Sequence, residues 1–586
     1  MYSETTNEFN NNIVAILNLY QIMNKKFLVP FLVLVASILT FSSCSNKLKP
    51  LAEEYVKAEP QPLEAIGGKV PVVINATFPQ KWFNKKAVVT VTPVLRYDGG
   101  EAYGTSYTFQ GEKVKGNNVV IPQSEGANVT MNSVFNYKPA MIKSELYLTF
   151  DAKIKNKTVK LPDLKIGEGV IATSELADAS TATPALADDA FQRIIKEAHK
   201  ADIYFLIMQA NVRSQEINSD PVVEWNKIVK EAFDAENQNV GLEIHSFSSP
   251  DGGYKLNDAL SQKREKSTET YLKGKLKKEK VDLTPDYKYT AQDWEGFKEL
   301  VAASNLQDKD LIIRVIEMYN DPQQREQEIK NISAVYADLA NTILPRLRRS
   351  RMVANVEIIG KSDEEITALA KSNPEELNVE EILYAATLTS DNAEKMRIYK
   401  QAAKQFPKDY RTWNNIGMMY FVEGDLNNAE QNFNKSNSVQ NNADANMNLG
   451  LIALTKGDQA KAQQYFGNAS GADELNEALG VLYLEQGDLA KANSALSDVK
   501  SNNAAIAQIL NKDYSKALQT LNSVSNADAT TSYLKAVVGA RTNDLNSVVT
   551  NLQKAISLDK NYATRAANDL EFAKYATSSQ FTSLLK

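Results

Sequence analysis

Cysteine is almost missing from this chain: Cys44 is the single one in 586 residues, which excludes an intramolecular disulfide and any cysteine-rich metal site. Histidine is nearly as scarce. His199 and His245 are the two present, and neither stands at a metal-ligand spacing or in a recognisable triad, so no zinc centre or histidine-based hydrolysis is expected. There is no glycine-rich phosphate loop and no nucleophile elbow. Excess positive charge is lacking too. With 66 Lys and Arg against 72 Asp and Glu, the formal charge is −6, which argues against a nucleic-acid partner, whose footprint is a basic stripe. Carboxylates are plentiful but form no pattern that marks a reaction, and the expectation is a protein without catalysis, cofactor or metal.

A long apolar run occurs at residues 27–41. It follows the short positive stretch Met23-Asn24-Lys25-Lys26, whereas residues 1–22 carry Glu4 and Glu8, so Met23 is taken as the working start. The run contains Pro30, is shorter than the roughly 18 residues a membrane span needs, and leads through Ser42 and Ser43 into Cys44. Residues 1–43 therefore read as a signal peptide. Phe41-Ser42-Ser43-Cys44 resembles the lipobox of bacterial lipoproteins, which implies that the Cys44 thiol is acylated and that cleavage makes it the mature N terminus. Several acyl chains on one residue give stable anchoring, so a membrane is an expected partner, with residues 44–67 as the lipidated tether. The following Ser45-Asn46-Lys47-Leu48-Lys49 lacks the acidic cluster that resembles the surface-export signal of Bacteroidetes lipoproteins. An outer-membrane lipoprotein of the cell envelope, facing the periplasm, is the expected location.

A mature chain of this length predicts about three or four domains. Residues 68–171 show period-two alternation, as in Leu146, Leu148, Phe150, Ala152 and Ile154, broken by turns such as Asp98-Gly99-Gly100, and read as a β-sandwich-like domain. Trp82, Phe83, Tyr103, Tyr107 and Phe109 are taken as core and given no site. Residues 172–189 are small and polar, the composition of a linker. From 190 to 362 the pattern turns α/β. A strand is expected near 203–208, a helix opening at Ser219-Asp220-Pro221 with Val222, Trp225 and Val229 on one face, a strand at 240–245, and a long helix over 257–277. A helical insertion over about 284–345 then precedes a last strand at 352–359. Ile194, Ile195 and Ala198, with His199, suggest a further helix.

Within this domain Ser248-Ser249-Pro250-Asp251-Gly252-Gly253-Tyr254, followed by Asn257, Leu260-Ser261 and Arg264, resembles the turn and helix of OmpA-like peptidoglycan-binding domains. The resemblance implies a clamp for the zwitterionic end of a cell-wall stem peptide, with Arg264 on the carboxylate. Where those domains carry an aspartate for the ammonium this chain has Ser249, so the clamp needs Asp251 to turn in. Ser249, Asp251, Asn257 and Arg264 are the candidate residues, and peptidoglycan the candidate partner.

The C-terminal part repeats. Leu449-Gly450, Gly457-Asp458, Ala462, Phe466 and Ala469 lie 33 residues after Ile416-Gly417, Gly424-Asp425, Ala429, Phe433 and Ser436. A further unit, with Leu479-Gly480 and Gly487-Asp488, follows 30 residues on. With Trp413, Tyr420, Tyr399, Ala402 and Pro407, these positions resemble the tetratricopeptide repeat (TPR), which implies an all-α solenoid of five or six units over 377–574 and a tail at 575–586. The resemblance puts Asn414, Met418, Phe421, Met447, Leu451, Glu477 and Val481 on the concave face. Lacking Lys and Arg, that face suits an apolar peptide or amphipathic helix. The chain thus reads as a multidomain, membrane-anchored scaffold for a protein or peptide partner. A wall anchor acting through the OmpA-like domain and a spacer that binds nothing stay open as alternatives.

Overall fold

In the strand Lys69–Phe78 every second side chain, from Val70 to Phe78, is buried, as the sequence alternation requires of a strand with one face on a core. The computed structural model describes residues 48–586 apart from 307 and 332; Cys44, the signal segment and the start of the tether lie outside the described residues. Contacts divide the described residues into two units, those up to 185 with 443–586, and residues 186–442.

The first unit opens with a β-rich region. Lys69–Phe78 pairs antiparallel with Val56–Glu59 and Ala127–Asn136, and a larger sheet is centred on the pair Ala87–Tyr97 and Ser144–Ile154. Both sheets feed one core. Trp82, Phe83 and Phe109 lie in it, each ring within 5.6 Å of Phe78 between centroids. Tyr103, expected in the core, is instead 68% exposed, with its hydroxyl donated to Glu101.

The same unit continues in antiparallel helix pairs: Ala443–Thr455 with Gln459–Phe466, Leu475–Gln486 with Leu489–Ala495, Asn502–Leu510 with Tyr514–Asn522, and Ala529–Arg541 with Leu545–Leu558. Asp458, Asp488, Asp513 and Asp544 each cap the second helix of a pair by accepting the N–H three residues on, which satisfies a donor the helix leaves open. The helices of a pair approach closely. A Cβ on Gly450 would fall 2.3 Å from the Phe466 ring, so only glycine fits there. Val170–Ile171 runs parallel to Leu63–Glu64, and Glu64 pairs with Arg541 of the repeats at 2.6 Å.

The second unit holds a four-stranded sheet in the order Ile194–Tyr204, Arg349–Ile359, Gln238–Phe247, Asp286–Thr290. The first three pair antiparallel, and Asp286–Thr290 is parallel to its neighbour. Helices Asp220–Asp234 and Tyr254–Glu279 share a core with the sheet, around Trp225, Leu272, Ile244 and Met352. Three expectations are corrected here. The helical spacing of Ile194, Ile195 and Ala198 belongs to a strand, because a ladder running from Ile194↔Ile359 to Tyr204↔Arg349 outweighs a local pattern. That strand ends at Tyr204, not 208. The insertion expected from 284 first supplies the strand Asp286–Thr290, and its helices, from Trp294–Ala302 to Leu344–Leu347, follow with a core of their own. Beyond the sheet come Asp363–Ser372 and the pairs Val379–Thr387 with Asn392–Gln405 and Tyr410–Val422 with Leu426–Val439. Among the described residues no helix is long and apolar enough to cross a membrane.

Candidate protein-binding groove

Three asparagines recur in one register: Asn415, Asn448 and Asn503 each precede by ten residues the capping aspartates Asp425, Asp458 and Asp513. Asparagine is a poor helix former, because its amide competes for backbone hydrogen bonds, so its recurrence inside first helices asks what the amides hold. They hold the segment expected to be a linker.

In the first unit, Asn448 accepts the Ala185 N–H at 2.7 Å and donates to the Ala185 carbonyl at 2.9 Å. Asn503 does the same for Asp178, at 2.9 and 3.0 Å. Between them the Glu477 carboxylate accepts the Thr183 N–H at 3.1 Å. The segment passes through short 3-10 turns at Ser174–Leu176 and Ala179–Thr181, and Ala179, Ala182 and Ala185 are buried. Its leading end is pinned by side chains: Thr173 donates to Glu571 at 2.6 Å and Ser174 to the Ala65 carbonyl at 2.7 Å. Glu571 also receives Arg541 at 2.6 Å.

In the second unit, Asn415 clasps Ala187 through both its N–H and its carbonyl, at 2.9 and 3.0 Å. Glu380 accepts the Ala190 N–H at 2.6 Å. Arg411, itself paired with Asp409 and Glu380, holds that carboxylate in place and keeps its pKa below the ordinary range. The Phe191 ring stacks on Tyr384 with centroids 4.4 Å apart. The chemistry is main-chain recognition: each asparagine satisfies a donor and an acceptor of one residue without reading its side chain.

The groove residues taken from the repeat resemblance fare unevenly. Glu477 touches the segment directly. Asn414 is buried and donates to Asn415 at 3.2 Å. Phe421, Met447, Leu451 and Val481 are buried, and Met418 is half-buried against the surrounding core. None of these five presents a free apolar surface, and the occupant is an irregular segment with short 3-10 turns rather than an amphipathic helix. The positions expected at Asn414 and Met447 fall one residue short of Asn415 and Asn448, a step that turns a helix face by about 100°, and none was expected in the unit of Asn503. Counting back ten residues from Asp425, Asp458 and Asp513 finds it.

Glu485 stands on the helix Leu475–Gln486. Burial first, then the like charges of Asp178 and Glu175 on the segment, push its carboxyl up to about 7. A carboxyl raised in the folded state contributes stability that is complete below its unfolded value and lost as pH rises through the folded one. Glu485→Gln is therefore expected to stabilise the first unit by about 1–2 kcal/mol at pH 8, after allowance for solvent screening, and to change little at pH 4. Urea titrations at the two pH values check this; an equal effect at both would count against it.

The wall-clamp residues of the second unit are brought together, but with their charges already engaged. Arg264 is fully buried and donates to the carbonyls of Gln209, Phe247 and Leu206 and to the Ser248 hydroxyl, with its guanidinium over the Phe205 ring. Burial and the neighbouring Arg348 lower its pKa to about 10. Asp251 accepts from Ser249 and pairs with Arg348 at 3.0 Å. Asn257 donates to the carbonyls of Ser249 and Gly252. Neither charge of the expected clamp is open to a ligand.

The tetratricopeptide repeat model TPR_8 matches residues 410–442 and 443–476. No curated protein matches the chain. Similar solved structures include the Cut9–Hcn1 heterotetramer of the APC/C (16% identity, TM-score 0.29, covering 38% of this chain and 44% of that one). A tetratricopeptide repeat protein from Parabacteroides merdae (14%, 0.27, 38% and 89%) and PilF of Pseudomonas aeruginosa (13%, 0.25, 38% and 98%) are others. This chain thus spans under half of the first of these. The C-terminal helical region is of the tetratricopeptide repeat type, and it follows an N-terminal β-rich region.

Proposed function

We propose that the protein is a non-catalytic interaction scaffold of the cell envelope, tethered to a membrane through acylated Cys44 and facing the periplasm, whose repeat groove binds a peptide segment through its backbone. The observation that carries this reading is the ladder: Asn448 and Asn503 each grip both the N–H and the carbonyl of one residue of a segment that forms no α-helix or strand. The α/β domain is read as an OmpA-like module kept for its fold, since Arg264 and Asp251 are spent on internal partners.

Two measurements test the parts separately. Cys44→Ser is expected to move the protein from the membrane to the soluble fraction; full retention on membranes would remove the acyl anchor. A photo-crosslinking residue at exposed Thr181 or Thr183 is expected to give a discrete adduct with another envelope protein in intact cells, lost when Asn448 and Asn503 become alanine. Adducts confined to the chain itself would favour the spacer.

A further inference from the structure

The occupant of the ladder in the first unit is held unevenly. At its leading end Thr173 and Ser174 are fixed by side-chain bonds to Glu571 and the Ala65 carbonyl. From Asp178 to Ala185 the bonds from Asn503, Glu477 and Asn448 go to the main chain, apart from a long one of 3.4 Å from Asn503 to the Thr181 hydroxyl. The inward side chains there are the methyls of Ala179, Ala182 and Ala185, while Ser180, Thr181 and Thr183 are exposed. A site that engages backbone and methyl groups selects for a chain that can take the turn at Ala179–Thr181 and against bulk at three places, and it is indifferent to most other features of sequence.

We propose that residues 178–185 are a resident pseudo-ligand, and that the groove's partner in trans is a segment of the same short-turn conformation with alanine-sized side chains at the same three places, bound when the resident segment lifts out. This rests on the scaffold reading of the groove. The resident has a large advantage from its tether: an effective concentration on the order of millimolar weakens a free peptide of about 10 µM affinity by about 100-fold. The intact chain is thus closed to weak ligands, and a partner competes by binding tightly or by engaging a second surface. Because the middle of the segment is held mainly through its backbone, by the amides of Asn448 and Asn503 and the carboxylate of Glu477, while its leading end is fixed by side chains, it opens without detaching from the unit.

The test uses the full chain and a labelled peptide of residues 176–186, read by fluorescence anisotropy. Asp178→Pro with Ala185→Pro removes the two resident N–H donors to the ladder, and Ala185→Arg opens the segment by bulk instead. The intact protein is expected to bind the peptide about 100-fold more weakly than either opened variant, and Asn448→Ala with Asn503→Ala in the opened background to abolish binding. Circular dichroism and thermal melting show that the repeats stay folded. Opened variants that stay folded and bind no better than the intact chain, or binding that survives loss of both asparagines, would overturn the proposal. Hydrogen exchange on the unaltered protein gives a second reading. The amides of Thr183 and Ala185 are expected to exchange at least tenfold faster than those in the middle of Asn502–Leu510, and equal protection would mark the segment as a fixed strut. Peptide binding without any adduct in cells would sink the scaffold reading and leave the pseudo-ligand intact.

Discussion

Arg541→Met is expected to destabilise the first unit by about 3–5 kcal/mol at pH 8, because it leaves a buried carboxylate without its cation. Arg541 reaches Glu571 and Glu64, each at 2.6 Å, and the Glu571 side chain is only 3% exposed. Burial would lower the Arg541 pKa, but the two carboxylates overcome it and hold the guanidinium above its ordinary value. Burial likewise keeps the Glu571 carboxyl above its usual range even with Arg541 present. Without Arg541 that value climbs further. A carboxyl raised in the folded state favours folding below its unfolded value of 4.5 and opposes it increasingly as pH rises through the folded value. The defect should thus be small at pH 4 and full at pH 8, with Glu571→Gln added to Arg541→Met recovering most of it. Urea unfolding of the single and double variants gives the numbers; a loss under about 0.5 kcal/mol for Arg541→Met would place it with ordinary surface pairs.

Arg264→Ala is expected to cost the second unit about 3 kcal/mol or more, since it strips a charged donor from buried acceptors. The carbonyls of Gln209 and Phe247 receive it at 3.0 and 2.8 Å, so the loop after Tyr204 should loosen and gain hydrogen exchange. This bears on the wall-anchor alternative. Because Arg264 is structural, loss of peptidoglycan binding in its alanine variant would not distinguish a broken clamp from a broken fold. Asp251→Asn is the cleaner probe. The intact chain is expected to stay in the supernatant when purified sacculi are pelleted; strong co-sedimentation abolished by Asp251→Asn in a folded protein would restore the clamp.

Periodic elements were the legible part of the fold. The alternation over 69–161, the helix containing Trp225, the strand at Gln238–Phe247 and the repeat register all follow from side-chain spacing, which each element imposes on itself. What depended on distant partners was hidden. Ile194–Tyr204 is a strand through its pairing with Arg349–Ile359, a partner about 150 residues away. Residues 172–189 look like a linker because alanine, serine and threonine carry no periodic apolar signal, yet main-chain recognition by asparagine asks for nothing else. The wall-clamp residues show the reverse case: the motif brings Ser249, Asp251, Asn257 and Arg264 together, but Arg348, which spends the Asp251 charge, comes from outside it.

The pairing of Thr173 with Glu571, and of Glu64 with Arg541, joins residues 398 and 477 positions apart. During synthesis the early residues of that unit therefore wait for nearly all of the chain. Helix pairs, whose contacts are local, can form as they emerge, whereas the segment at 173–185 can be seated only against helices made hundreds of residues later. Until then its alanines and the asparagine ladder face water unpartnered, each able to find the matching element of another molecule. Closure of the unit should thus be the slow, concentration-sensitive step of assembly, with crowded chains exchanging segments where dilute ones close on themselves.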